Sequence, residues 1–306
     1  MTPLKVLIVG CGYVGARVAA RLAAEGHRVF AVTRSAARAE EFARRGWTPI
    51  VADVMEPAAI AAAPPMDAVL QAVGFDRTAG VPKRQVYIDG FARVLTAMAG
   101  RCGRVVAISS TSVYGQSNGE LVDETSPTEP ASESGQICLQ QEQELWKWRA
   151  DQKGDVAASI LRLAGIYGPE RMLARAESLR AGTPMSGRGD AWLNLIHGDD
   201  AAALAVRALV AGRDGATYLG VDAEPVLRRD FYGELASLLE APAPTFSGVV
   251  EPGGRGSEAG INKRCVNAAT QRELGGVLQF PTYREGLRDV VAKRVSADPP
   301  DALRGL

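Results

Sequence analysis

The amino-acid sequence predicts an α/β protein built on a doubly wound parallel sheet. Two observations carry the prediction. Across the first two-thirds of the chain, short β-rich apolar runs alternate with helical stretches, the pattern of parallel strands joined by crossover helices. The first run also leads straight into "GCGYVG", three glycines at the spacing that tightens a strand-to-helix turn in such folds. Bulk composition agrees: 306 residues, 46% hydrophobic and 23% charged, can bury a substantial core without disulfides.

The strands read in order as "KVLIVG" (5–10), "RVFAVT" (28–33), "TPIVAD" (48–53), "DAVLQAV" (67–73), "RVVAISS" (104–110) and "AASILRL" (157–163). Between the first two, Val14, Val18 and Leu22 share one helical face and Gly26 supplies a stop. Residues 35–46 repeat that pattern around Phe42, and a longer helix is expected over 84–98, after Pro82. Beyond Gly168 the alternation loosens. "AWLNLI" (191–196) reads as a strand, while 198–212, 229–241 and 262–275 read as helices. The Gly/Pro-rich stretch 241–260 reads as a loop, and the last dozen residues as a frayed tail.

Composition narrows the function classes. Thirty-five basic and thirty-five acidic residues cancel, so no nucleic-acid or membrane partner is expected. Cys11, Cys102, Cys138 and Cys265 are scattered and only two histidines exist, which argues against a metal site. The first apolar run is too short to be a signal or a membrane span. A reduced, cytoplasmic setting is the expectation.

Gly10, Gly12 and Gly15 follow a strand and open a helix. The first permits the tight turn, the second lets backbone approach a pyrophosphate, and the third lets helix pack on strand. The helix start, with Tyr13 and Val14, then offers N–H groups to the anion. This is the phosphate cradle of a Rossmann dinucleotide site. The second strand ends in Thr33, Arg34 and Ser35 with no carboxylate, where a site for NAD usually places one for the ribose 2′-hydroxyl. Arg34 can pair with a 2′-phosphate, Ser35 can add a hydrogen bond, and Arg38 lies one turn later. NADP is therefore favoured, with NAD still open; the plainer alternative is a solvated Arg34 and a Ser35 that only caps a helix. Asp53 is placed either to meet the adenine amino group or to make a turn. Ala72, Val73 and Gly74 would let the cofactor lie close to backbone.

"AISSTSVYG" (107–115), "LRLAGIYGPE" (161–170), "NLIHGDDAAA" (194–203) and the run 262–287 together resemble the extended short-chain dehydrogenases. That family includes NAD(P)-dependent sugar epimerases, dehydratases and reductases. The resemblance implies about seven strands in the sheet and a small C-terminal α/β lobe for substrate. It divides the chain into 1–167 plus 193–219 for the cofactor, 168–192 plus 220–292 for the lobe, and a tail at 293–306. It also implies a homodimer through the helices after the fourth and fifth strands; helix 136–152 suits that role, though ordinary burial explains its pattern equally.

The family's proton chemistry uses a Ser or Thr after the fifth strand, then Tyr-x-x-x-Lys. By resemblance the first is Ser110, with Thr111 beside it. Aligning "PASESGQICLQQEQELW" keeps Ser132, Gly135 and Glu142 but puts Ser134 at the tyrosine and Cys138 at the lysine. A serine is a far weaker acid than a phenol, and a neutral thiol cannot replace an ammonium. Positioned acid–base catalysis contributes about 10²–10⁴-fold, so the usual mechanism is crippled and the chain is identified as an atypical member.

On a helix, Ser134, Cys138 and Glu142 share one face; Glu142 reads as a solvated charge more than as a base, and Cys138 as core more than as a nucleophile. Tyr114 and Tyr167, each at a strand end, are candidates for a substitute acid. His197, Arg162, Asp199 and Asp200 suit structural roles. Arg171, Arg188, Arg255, Lys263 and Arg264, in the lobe, read either as a grip on an anionic small-molecule substrate such as a nucleotide diphosphate sugar or as ordinary surface charges. Three functional readings stand: an oxidoreductase or epimerase-like enzyme with a displaced acid/base, a non-catalytic cofactor-binding protein, and a non-redox dehydratase or isomerase on the same scaffold.

Overall fold

In the computed structural model, which describes residues 2–295 apart from 77, 155, 250–259 and 277, seven strands form one parallel sheet. They are β1 (Lys5–Val9), β2 (Arg28–Thr33), β3 (Thr48–Val51), β4 (Ala68–Gln71), β5 (Arg104–Ser110), β6 (Ala157–Leu163) and β7 (Thr217–Gly220). Their spatial order is β7-β6-β5-β4-β1-β2-β3. The winding thus reverses beside β1, which pairs with β2 on one side (Leu7 opposite Phe30) and β4 on the other (Val9 opposite Gln71). A crevice opens beyond the carboxyl ends of strands at such a reversal, and ligands bind there.

Both faces of the sheet are covered at its centre, which is why β1 and β4 are apolar along most of their length. Val6 and Ile8 point to one face, where they meet Val18 and Leu22 of α1 (Tyr13–Ala24). Leu7 and Val9 point to the other, with Phe91 and Leu95 of α3 (Phe91–Met98) and Leu145 of α4 (Glu133–Asp151). α2 (Ala36–Arg44) follows β2 and presents Phe42 to the first of these layers. A separate apolar cluster holds the C-terminal lobe together. Tyr167, Phe231, Leu235, Tyr283 and Leu287 meet there, drawing on α7 (Arg228–Leu238) and α9 (Tyr283–Val295); α5 (Leu173–Arg180), α6 (Gly198–Ala211) and α8 (Ala268–Leu274) complete the helices used below.

Four local expectations change. The single helix expected over 84–98 is two pieces: a π-helical stretch, Gln85–Gly90, runs into α3. The helix expected at 262–275 begins only at Ala268, because Lys263–Cys265 is a strand laid parallel to Glu120–Val122. The strand at 191–196 is two short ones, Trp192–Leu193 and Leu195–His197, paired with Val226–Leu227 and Gly165–Tyr167. The chain remains helical from Tyr283 to Val295, so the start expected for the tail at 293 is still α9; residues 296–306 and half of the 241–260 loop lie outside the described residues. Among the described residues no helix is long and apolar enough to cross a membrane, and no cluster of metal-ligating side chains occurs.

Candidate functional site

The turn after β1 sits in the crevice between β1 and β4. Gly10 adopts φ +92, and a side chain there would run into the backbone of Ala72 and Val73. A methyl on Gly15 would strike the Gly10 carbonyl. Both glycines are therefore demanded by close backbone approach. Gly12 differs: nothing lies within 4 Å of where its Cβ would be. It is the N-cap of α1 and supplies no side-chain hydrogen bond, so the first-turn N–H groups keep their attraction for an anion. Open space at Gly12 beside an uncapped helix start fits a dinucleotide pyrophosphate. The Tyr13 side chain turns away from that role. Its ring lies between the guanidinium groups of Arg17 (3.8 Å) and Arg171 (4.5 Å), and its hydroxyl is buried against Gly168 and Gly198. Arg171, expected to hold substrate, is thus found on the Tyr13 ring.

Arginines stand at the end of β2. Arg34 pairs with Asp76 at 2.8 Å, bridging the loops after β2 and β4. Hydrogen bonds from Thr78, joined by Arg34, hold the Asp76 carboxyl down to about 2. Arg38 reaches from α2 to donate to the Cys11 carbonyl at 2.7 Å, inside the glycine loop. Ser35 caps α2 through the Arg38 N–H (3.3 Å), and Thr33 accepts from the Ser35 N–H (3.2 Å). Asp53 accepts the Met55 N–H at 2.8 Å, a turn contact. Ala72 donates to the Val9 carbonyl at 2.7 Å, and Gly74 is open.

At the end of β5 the Ser110 hydroxyl accepts the Ser112 N–H (3.1 Å), and Thr111 is buried. Ser132 caps α4 through the Gly135 N–H at 3.0 Å. Gly135 is required because a side chain there would meet the Ser112 carbonyl. Cys138 is buried with Val113, Tyr114 and Ala164, as a core residue. Glu142 corrects the expectation of a solvated charge. It is 2% exposed, bound by Arg162 at 2.7 and 3.0 Å and by the Ser109 hydroxyl at 2.5 Å.

Neither tyrosine offered as substitute acid is placed to act. Tyr114 is fully buried, its oxygen accepts from Arg162 at 2.7 Å, and burial pushes its phenol up to about 12. Tyr167 faces the lobe core beside His197 and Phe231, and burial drives its phenol higher still. His197 caps α6 by accepting the Asp199 N–H (3.3 Å), and burial lowers its pKa, favouring the neutral ring. Asp200 accepts the Gln279 and Phe280 N–H groups at 2.7 and 2.9 Å. Of the cations expected to face substrate, Lys263 donates inward to the Tyr114 carbonyl (2.9 Å) and Arg264 to the Gly119 carbonyl (2.8 Å). Arg188 pairs with Asp190 at 2.8 Å, and Arg255 lies outside the described residues.

Two residues at the site escaped the sequence reading. Lys83 donates to the Ser134 hydroxyl, and its ammonium lies 5.1 Å from the centre of the Tyr87 ring. The spacing Lys-x-x-x-Tyr, one helical turn, was visible before α3; what was hidden was that this turn faces α4.

Known proteins give the scaffold a place. The chain is 29% identical over 283 residues to Protein YeeZ of Escherichia coli (strain K12), covering 90% of this chain and 96% of that protein. It is 26% identical over 308 residues to a 3-diazoavenalumate denitrifying reductase of Streptomyces sp, covering 93% and 99%. Its fold is similar to that of the UDP-glucose 4-epimerase of Thermotoga maritima, solved with UDP-glucose, at a TM-score of 0.80 and 17% identity over 96% of this chain and 99% of that one. The sequence pattern that matches over residues 6–219, from β1 through the last strand of the sheet, shows that the chain belongs to the NAD dependent epimerase/dehydratase family.

Proposed function

We propose that the protein is an NAD(P)-dependent oxidoreductase that prefers NADP and whose acid/base groups have moved from the family's usual helix. The carrying observation is the cradle of Gly10, Gly12 and Gly15, flanked by Arg34 and Arg38 with no carboxylate at the end of β2. Gly12 and the start of α1 would hold the pyrophosphate, and Ala72–Val73 the neighbouring backbone wall. Arg34 and Arg38 would take the 2′-phosphate, Arg34 exchanging Asp76 for it. Bound there, a nicotinamide supplies or takes up hydride; Ser110, at the end of β5, would orient a carbonyl or hydroxyl of a small substrate. The reductase name of the Streptomyces relative fits this reading.

The test is a titration with NADPH and NADH, followed by tryptophan and nicotinamide fluorescence. Arg34→Asp is expected to weaken NADPH about 10-fold or more, the worth of a charge-assisted contact, while NADH changes little. Equal losses for both would overturn the NADP preference. A second reading, a cofactor-binding protein without turnover, rests on Ser134 and Cys138 standing where the family has phenol and ammonium. Tight NADPH binding with no oxidation across a panel of carbonyl substrates would favour it.

A further inference from the structure

We infer that Tyr87 and Lys83 carry the proton chemistry that α4 has lost, with the Tyr87 phenol as the proton-transferring group and the Lys83 ammonium as its supporting cation. The inference rests on the cofactor reading above and names the machinery of that same site. Four observations point to it. First, the Lys83 ammonium donates to the hydroxyl of Ser134, the residue standing where the family keeps its tyrosine. A cation has thus entered the space from the opposite side. Second, that ammonium lies 5.1 Å from the centre of the Tyr87 ring. Among the described residues no carboxylate pairs with it, so no ion pair cancels its charge.

Third, Tyr87 lies between α4 and the loop that follows β4. Its phenol feels Cys138, at the family's lysine position on α4, and the backbone N–H of Phe75, in the loop that follows β4. Burial, with Cys138 adding to it, pushes the phenol up to about 12, and the Phe75 N–H opposes the rise. The group is therefore protonated at neutral pH, as Tyr114 is; what separates the two is access, since Tyr87 is half-buried and Tyr114 fully enclosed. Fourth, Tyr87 sits within the π-helical stretch Gln85–Gly90. Such widened turns are energetically poor and occur often at functional sites. Here Tyr87 lies in the widened stretch, and Lys83 lies just before it with its ammonium on Ser134 of α4.

The step balances on named atoms. In the direction of reduction the substrate carbonyl carbon accepts hydride, with reduced nicotinamide as the reductant, and the carbonyl oxygen accepts the proton from Tyr87 Oη. The Tyr87 O–H bond breaks, the phenolate forms beside Lys83, and water returns the proton. Oxidation of an alcohol runs the same transfers in reverse.

The test labels the full-length protein with 3-fluorotyrosine, whose lower pKa brings the titration into a range the fold tolerates, and follows Tyr87 by 19F NMR, assigned with Tyr87→Phe. Lys83→Met is expected to reduce the acid dissociation constant of the Tyr87 phenol at least about 10-fold, and Lys83→Arg to restore it. Saturating NADP+ is expected to raise that constant, because a nicotinium charge beside the phenol favours phenolate, whereas NADPH does not. An unchanged Tyr87 titration in Lys83→Met would overturn the pairing. A Tyr87 signal indifferent to NADP+, in a sample whose fluorescence shows the cofactor bound, would overturn the placement at the reacting end. Failure of the wild-type protein to bind NADP+ at all would register separately in that fluorescence, and would remove the cofactor reading on which the catalytic role depends.

Discussion

Glu142 illustrates how far a single side chain can depart from its sequence context. It occupies the same helical face as Ser134 and Cys138, as their spacing indicates, yet it faces Arg162 and Ser109 in the interior. The face was legible; the partner was not, because Arg162 comes from a strand that a sequence reading cannot set against α4. Glu142→Ala would leave a buried guanidinium whose remaining partner among the described residues is the Tyr114 hydroxyl. Breaking a buried pair in this way costs about 3–5 kcal/mol, and urea unfolding is expected to show an unfolding free energy lowered by that amount with cofactor affinity measured at low urea largely kept. Lys83 escaped notice for the same reason. Its chemistry lies in a contact with Ser134 of α4, 51 positions away in sequence.

Elements differed in legibility according to what sustains them. The central strands of the main sheet are buried on both faces and advertise themselves as apolar runs. Lys263–Cys265 is a strand only because Glu120–Val122 lies alongside it, and the local pattern therefore read as helix. The end of β7 carries a titration that belongs to its position. Asp222, two residues beyond the strand, is 2% exposed, and burial pushes its carboxyl up to about 8, with Glu224, Asp200 and Glu285 adding to the rise. Its folded-state pKa stands above the unfolded value, so the folded protein binds the extra proton. Its contribution is fully present below about pH 4 and is lost as pH rises toward about 8. Asp222→Asn is expected to flatten the fall in unfolding free energy between pH 5 and 8, read by urea titrations at a series of pH values. An unchanged slope would mean that Asp222 is ionised in the fold throughout.

For the whole molecule, the reversal of winding beside β1 decides where a ligand can couple the two sides of the sheet. A cofactor lying across that crevice would contact loops from β1, β2 and β4 at once. Saturation at a hundredfold excess over Kd is expected to raise stability by about 2.7 kcal/mol, measurable as an upward shift in the thermal midpoint with NADPH. Gly15→Ala, whose methyl would strike the Gly10 carbonyl, is expected to abolish the shift. The parallel sheet of about seven strands followed from alternation and resemblance, but its order and the join between lobe and sheet did not. That join includes the parallel pair of Glu120–Val122 with Lys263–Cys265, locked by the Lys263 ammonium on the Tyr114 carbonyl. Its consequence appears during synthesis. Once Glu120–Val122 has left the ribosome, about 140 more residues must be made before its partner exists, which takes about 7–28 s at ordinary rates of elongation. Through that interval the nascent chain presents an unpaired strand edge, the kind of surface to which other chains adhere. The pace of translation, and not only the finished contacts, therefore bears on how much of this protein reaches its native state.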